Sequence, residues 1–316
     1  MTRDGKNKYR LTLAGCLLLG ALFLSGCQGE RKESPTKGSV TVMVSESVSP
    51  LIKAEKEKFE ELYPDAHVSL VVTSAREAIT HLFNDTIKVI VSSRPFNTEE
   101  RDFIKRANLT IGEFKIAIDG IAVITNLENP ITGLRTTQLD SLLSGSTTSW
   151  STAGWNNAPG PVELCLPDRN SGTYEVAAAK ILHGGKFAVA TKVATSSPEM
   201  VQCVSERPNA IGLLGLNWLN ENKEKVKVLE LSDPDAPDSL GTRGKFFSPH
   251  QAYVYQQYYP LTRDIYIYSR SDGYSVGAGF LAFVNSAPGQ KIVQNSGLVP
   301  ATMPVRLVHM TSESPQ

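Results

Sequence analysis

The 316-residue sequence predicts an α/β fold whose strands run mostly parallel and are flanked by helices. Three observations carry that expectation. Between residues 39 and 91, short β-branched runs alternate with amphipathic stretches in a β-α-β-α-β rhythm. The strand-like runs end in serine-rich loops that lead straight into helices, which places those loops at the carboxyl ends of a parallel sheet. A lone Asp119-Gly120 separates two apolar runs, 114–118 and 121–126, and reads as a bend, a crossing from one domain into another.

The elements follow in order. Residues 40–44, Val-Thr-Val-Met-Val, read as a strand. After the loop 45–50 comes a helix to about Tyr63, with Leu51, Ile52, Phe59 and Leu62 set among lysines and glutamates. Pro64-Asp65 stops it. Residues 67–72 form a second strand, and Ser74 is placed to cap a helix to about Phe83. A third short strand, 88–91, enters Ser92-Ser93-Arg94-Pro95. Beyond the crossing, 144–160 is a loop rich in Ser, Thr, Gly and Trp. Residues 161–166 are strand-like and precede an alanine-rich helix; a helix around 198–204 and a strand at 210–215 follow. Residues 233–245 are loop, and the alternation at Tyr253 and Tyr255 reads as strand patterning. A strand at about 259–268 and one terminal helix from 279 through Gln290 complete the pattern, without an internal repeat.

The N-terminus is of a different kind. Arg3, Lys6, Lys8 and Arg10 precede an apolar run, 11–24, that ends in Leu24-Ser25-Gly26-Cys27. A basic head, a short apolar core and small residues describe a secretory signal, too short to span a bilayer as a helix. The ending resembles a bacterial lipobox, which implies removal of 1–26 and diacylation of Cys27. An ordinary signal with a chance cysteine is the alternative. Residues 27–38 are polar and read as a tether. No later segment is long and apolar enough to span a membrane.

Charge and chemistry exclude several classes. The full chain carries 32 basic and 32 acidic residues. Without 1–26 it carries 28 against 31, a net charge of −3. Such a chain has no general attraction for anions, and no basic stripe interleaved with aromatics points to nucleic acid. His67, His81, His183, His250 and His309 lack metal-ligand spacing, no Gly-x-Ser-x-Gly elbow is present, and no cofactor motif stands out. Neither an enzyme nor a metalloprotein is expected. Cys165 and Cys203, the two cysteines left beyond Cys27, either pair in an oxidising compartment or stay as buried thiols.

The most telling motif is Pro167-Asp168-Arg169-Asn170-Ser171-Gly172-Thr173 between a strand and a helix. A Ser-Gly-Thr turn there sets hydroxyls and N–H groups at a positive helix end, an anion seat built of neutral parts. By spacing alone it could equally be an ordinary strand–helix turn.

Read together and in order, several segments resemble the PstS-type periplasmic phosphate-binding proteins of ABC importers. They are Asp119 through Asn126, Leu139 through Trp150, Ser171-Gly172-Thr173, Ala210 through Gly215, Tyr259-Pro260-Leu261-Thr262-Arg263, Ser286 through Gln290 and Gly297-Leu298-Val299-Pro300. The resemblance spans about 39–300. It implies a type II periplasmic binding protein: two α/β lobes joined by two crossing strands, with ligand buried between them. Carried over, one lobe would comprise 39–118 plus 258–316 and the other 119–257, with Asp119 and Gly120 at the hinge. The protein would be an exported, lipid-anchored monomer that passes inorganic phosphate to permease and ATPase subunits. The runner-up keeps the fold but binds another oxyanion, or serves as a surface sensor or adhesion lipoprotein.

A phosphate taken from water needs many well-aimed donors. The expected set is Ser45, Glu46 and Ser47 after the first strand, Ser93 and Arg94 after the third, and Asn170, Ser171, Gly172 and Thr173, with Ser74 as a further contributor. Ser47 and Ser74 could instead be plain helix caps. The chain departs from better-known members: Pro167 stands where they commonly have an anion-pairing arginine, Arg169 where they often have an aspartate, and Ser93-Arg94 where they often have Ser-Asp. Arg94, with Arg169 as second choice, is therefore expected to supply the guanidinium contact. Glu46, or else Asp168, is expected to accept the phosphate proton and so repel sulfate.

Overall fold

A computed structural model of the protein describes residues 33–155, 160–271 and 273–302. The signal 1–26, Cys27 and the first part of the tether lie outside the described residues, as do 303–316. The last part of the tether is not extended. Ser34 and Lys37 close a hydrogen-bonded turn, and Pro35 lies against Gly279, where any side chain would collide with it.

Strands β1 (Gly38–Ser45), β2 (Ala66–Thr73) and β3 (Val89–Ser92) are parallel, with β1 between the other two. On the other flank, β6 (Glu163–Pro167) runs parallel to both β7 (Lys192–Ala194) and β8 (Ala210–Gly215). Two long strands join these groups: β4 (Gly112–Thr125) and β11 (Thr262–Ser269). They are antiparallel to each other, and the main order is β2-β1-β3-β11-β4-β8-β6-β7. The remaining strands are β5 (Gly133–Arg135), β9 (Lys227–Ser232), β10 (Phe246–Phe247) and β12 (Val299–Pro300); β9 pairs with β4, β5 and β10, and β12 with β4.

The two apolar runs expected on either side of Asp119-Gly120 are one continuous strand, β4. It changes partners where the bend was expected. Thr262 of β11 pairs with Gly120, whereas Ile121 already pairs with Gly215 of β8. Gly120 is needed for packing: a Cβ there would lie 3.0 Å from Leu216 and 3.1 Å from Val254. The second passage between the groups is pinned beside it, with Ile121 N–H donating to Leu261 O at 2.8 Å and Tyr259 Oη to Ile121 O at 2.8 Å.

The helices are α1 (Ser49–Leu62), α2 (Ala75–Phe83), α3 (Thr98–Arg106), α4 (Thr136–Leu143), α5 (Gly172–Lys180), α6 (Ser197–Ser205), α7 (Leu216–Leu219), α8 (Gln251–Tyr255), α9 (Val276–Asn285) and α10 (Ala287–Asn295). Helix α1 buries Leu51, Ile52, Glu55 and Phe59, and Phe59 meets Phe280 and Phe283 of α9 at 5.5 and 5.6 Å between ring centres. The single terminal helix of the sequence reading is two, broken at Ser286, because Pro288 in the next first turn cannot continue α9. Tyr253 and Tyr255 lie on α8, not on a strand; in so short an element, alternation and a helical turn cannot be told apart. Helix α3 follows a capping box of Asn97 and Glu100 that the sequence reading passed over. No helix among the described residues is long and apolar enough to cross a membrane.

Cys165 and Cys203 form a disulfide, with Cα atoms 6.1 Å apart, that ties β6 to α6. Both elements lead into the site described below. Closing 38 residues of chain, this bond should stabilise the fold by about 4 kcal/mol in the chain-entropy account. Reduction, or Cys165→Ala with Cys203→Ala, should therefore lower the melting temperature clearly in scanning calorimetry. An unchanged transition would mean the bond constrains nothing.

Glu55 is fully buried, and neither carboxylate oxygen has a hydrogen-bond partner among the described residues. Burial pushes its pKa from 4.5 up to about 9. The folded state thus holds a proton that the unfolded chain has released, so stability falls as pH rises from about 4.5 towards 9. The slope is roughly 1.4 kcal/mol per pH unit in that window. Glu55→Gln should flatten this dependence and raise the melting temperature at pH 8 by several degrees. A pH profile identical to that of the unsubstituted protein would refute the assignment.

Candidate functional site

Parallel strands deliver their carboxyl ends, and the helices that follow them, to one side of the sheet. Here five such ends from both strand groups meet around a cavity of about 200 Å³. After β1 come Ser45, Glu46 and Ser47; after β2, Ser74 at the head of α2; after β6, Asp168 and Ser171-Gly172-Thr173 at the head of α5. After β7 come Thr195, Ser196 and Ser197 at the head of α6, and after β8, Gly215 at the head of α7. First-turn N–H groups lack intrahelical acceptors, so the lining is rich in donors and carries positive helix ends without a charged base.

The hydroxyls are arranged by local capping. Ser74, Ser171 and Ser196 Oγ accept from the N–H groups of Glu77, Tyr174 and Glu199 at 3.2, 3.1 and 3.3 Å. Each serine keeps its own proton for another acceptor. Ser74 is thus both cap and lining residue, whereas Ser47 caps no helix. Ser45 Oγ accepts from Ser93 N–H at 3.2 Å and likewise retains its proton.

Two carboxylates line the cavity. Glu46 Oε1 accepts from Ser197 N–H at 2.8 Å, and Oε2 bonds Ser197 Oγ at 3.0 Å. Burial pushes the Glu46 carboxyl above its usual range; the two Ser197 bonds and the charge of Arg263 partly oppose this. Asp168 turns Oδ1 back to the N–H of Asn170 at 2.8 Å, which shapes the loop before α5. No lysine or arginine is among the lining residues.

The structure therefore brings together Ser45, Glu46, Ser47, Ser74, Ser171, Gly172 and Thr173, and leaves four expected residues outside the lining. Arg94 is buried, but its guanidinium is committed elsewhere. Nη1 and Nη2 meet Glu100 at 2.7 Å each, Nε meets Glu175 at 2.7 Å, and Nη1 also bonds Pro95 O. Glu100 is held in turn by the α3 capping box, and Arg94 is not among the residues that line the cavity. Arg169 is exposed on its loop. Asn170 faces across the cleft only through its backbone, accepting from Arg76 N–H at 3.3 Å. Ser93 lies behind Gly172 with its hydroxyl buried and unpartnered.

Sequence reading missed the loop 195–197. Its signal was present: Ser196, then Pro198 and Glu199, is a capping pattern with proline in the first turn. It also missed Arg263, the buried cation directly behind the lining. Arg263 Nη1 donates to Thr173 Oγ1 at 2.8 Å, while Nε and Nη2 donate to Asp119 Oδ2 at 2.9 and 2.7 Å.

Several contacts join the two strand groups beside the cavity: Glu46 to Ser197, Arg94 and Arg76 to Glu175, and Ser93 against Gly172. Gly172 allows the last of these, since a Cβ would collide with Ser93 Oγ and sit 3.2 Å from its Cβ. Gly172→Ala should wedge the cleft open. Small-angle scattering should report a larger radius of gyration, and stability should fall by about 1–3 kcal/mol. Unchanged values would mean this contact is absent in solution.

The comparisons with known proteins agree with this architecture. A family model for the PBP superfamily domain matches residues 29–288. A phosphate-binding protein PstS from Staphylococcus saprophyticus is 27% identical over 276 residues, 86% of this chain and 83% of its own length. Among solved structures, a Clostridium perfringens protein described as a phosphate ABC transporter substrate-binding protein, with bound phosphate, aligns with TM-score 0.71 at 23% identity. It covers 84% of this chain and all of the other. An ABC-type phosphate transport receptor from Vibrio cholerae aligns with TM-score 0.64 at 21% identity, covering 83% and 100%. These structural likenesses assign the type II periplasmic binding fold, and the family match over most of the sequence makes this chain a member of the PBP superfamily.

Proposed function

We propose that this protein captures inorganic phosphate in the cavity between its two strand groups and delivers it to the permease of an ABC importer. One observation carries the reading: hydroxyls and helix N-termini from both groups converge on one small cavity that contains two carboxylates and no lining cation. Neutral donors can replace the hydration shell of a tetrahedral oxyanion. The carboxylate of Glu46 selects among oxyanions, because it can accept a proton from phosphate but only repels fully ionised sulfate. The phosphate-binding protein PstS of Staphylococcus saprophyticus and the phosphate transport receptor of Vibrio cholerae support the same ligand.

Closure belongs to the proposal. The lobes, 39–118 with 258–316 and 119–257, would move about Asp119-Gly120, where β4 changes partners. An exported monomer anchored through lipid on Cys27 would present this cleft outside the cytoplasm and release its ligand chemically unchanged.

The test is calorimetric titration and thermal shift with phosphate, arsenate, sulfate, molybdate and tungstate. Phosphate should raise the melting temperature and sulfate should not, since a ligand that binds only the native state stabilises it. Glu46→Gln should admit sulfate. Acidification should do so too in the unsubstituted protein, because the raised Glu46 pKa places loss of its negative charge above the ordinary glutamate range. Equal response to phosphate and sulfate in the unsubstituted protein at pH 8 would reject the selectivity, and no response to any oxyanion would reject the function.

A further inference from the structure

Thr173 has two sides. One lines the cavity; the other touches a buried ion pair at the strand crossing. Arg263 stands on β11 and Asp119 on β4, and both side chains have 0% exposure. Asp119 Oδ2 accepts from Nε and Nη2 of Arg263, and its Oδ1 accepts from Leu216 N–H at 3.1 Å. Only Nη1 points away from the aspartate, and it donates to Thr173. Gly215 forms the thin wall between this pair and the cavity. A Cβ there would lie 2.7 Å from Arg263 Nη2 and 3.0 Å from Asp119 Oδ2.

We propose that Arg263 is a positioning residue for the anion site and makes that site conditional on the geometry of the crossing. The proposal rests on the oxyanion reading of the cavity. A guanidinium can only donate, so Thr173 Oγ1 must accept from it. The one hydroxyl proton of Thr173 is then left to donate, and the cavity is the side that remains. The pair with Asp119 is also an oriented dipole whose positive end meets Thr173, so it supplies positive potential that the lining itself lacks. Because its members sit on the two strands that join the groups, a change in crossing angle would break the contact with Thr173. An open cleft would lose a donor as it opened.

The experiment compares phosphate titration of the unsubstituted protein with Arg263→Lys, Thr173→Val, Thr173→Ser, their Arg263→Lys/Thr173→Val combination, and Asp119→Asn. Arg263→Lys and Thr173→Val should each weaken binding by about tenfold or more, the loss of one charge-assisted hydrogen bond. The combination should cost little beyond either alone, and Thr173→Ser should retain near-full affinity. Asp119→Asn, which keeps the guanidinium but removes its counter-charge, should bind phosphate more tightly; Thr173→Val, which leaves the ion pair intact, serves if the lysine variant does not fold. Full affinity in Arg263→Lys, losses that multiply in the combination, or weaker binding by Asp119→Asn would each overturn the role of Arg263 while phosphate binding by the unsubstituted protein stands. Absence of phosphate binding by the unsubstituted protein would instead remove the functional reading on which the inference rests.

Discussion

The Asp119–Arg263 ion pair at the crossing of β4 and β11 is the constraint on which the rest depends. Two full charges at zero exposure are tolerable only when paired and when their remaining hydrogen-bonding groups are satisfied. Here the satisfaction comes from distant parts of the chain: Leu216 N–H beyond β8 and Thr173 Oγ1 at the head of α5. Satisfying the pair therefore draws the crossing strands, the β8 end and the Ser-Gly-Thr helix to one point. That point is the floor of the cavity.

Around that floor, the polar part of the lining consists of hydroxyls, helix N-termini and the carboxylates of Glu46 and Asp168. In the proposed reading, helix N-termini and hydroxyls hold an anion only where many are aimed together, so shape would do the selecting. On the same reading the carboxylate of Glu46 would sharpen this, because an acid facing an anion is costly unless a proton lies between them. Glu46 is itself held by Ser197, which belongs to the other strand group.

Arg94 shows how position along the chain and position in space part company. It follows β3 directly, beside loops that do line the cavity, yet its guanidinium lies among Glu100, Glu175 and Pro95 O. Two carboxylates offer a buried arginine more than a transient anion does. Glu175 also meets Arg76, so this cluster stitches the two strand groups beside the cavity and not within it.

The α/β class, the parallel grouping of β1 to β3 and the Ser171-Gly172-Thr173 helix start were all legible in the sequence, whereas the bend expected at Asp119-Gly120 is a change of partners within one strand. Each depends on local rules: apolar periodicity, a glycine between strands, a serine before a helix. So were Ser45, Glu46, Ser47 and Ser74, because strand ends in a parallel sheet share one edge. Strands of two or three residues such as β7 and β10 carry no period of their own; they exist only because a partner strand is present, and the loop 195–197 was missed with β7. The partners of Arg94, the burial of Arg263 against residues 90 and 144 positions away, and the disulfide between Cys165 and Cys203 were decided by the tertiary structure alone. A side chain's choice of partner is a competition among groups in space, and a one-dimensional order does not contain the distances that settle it.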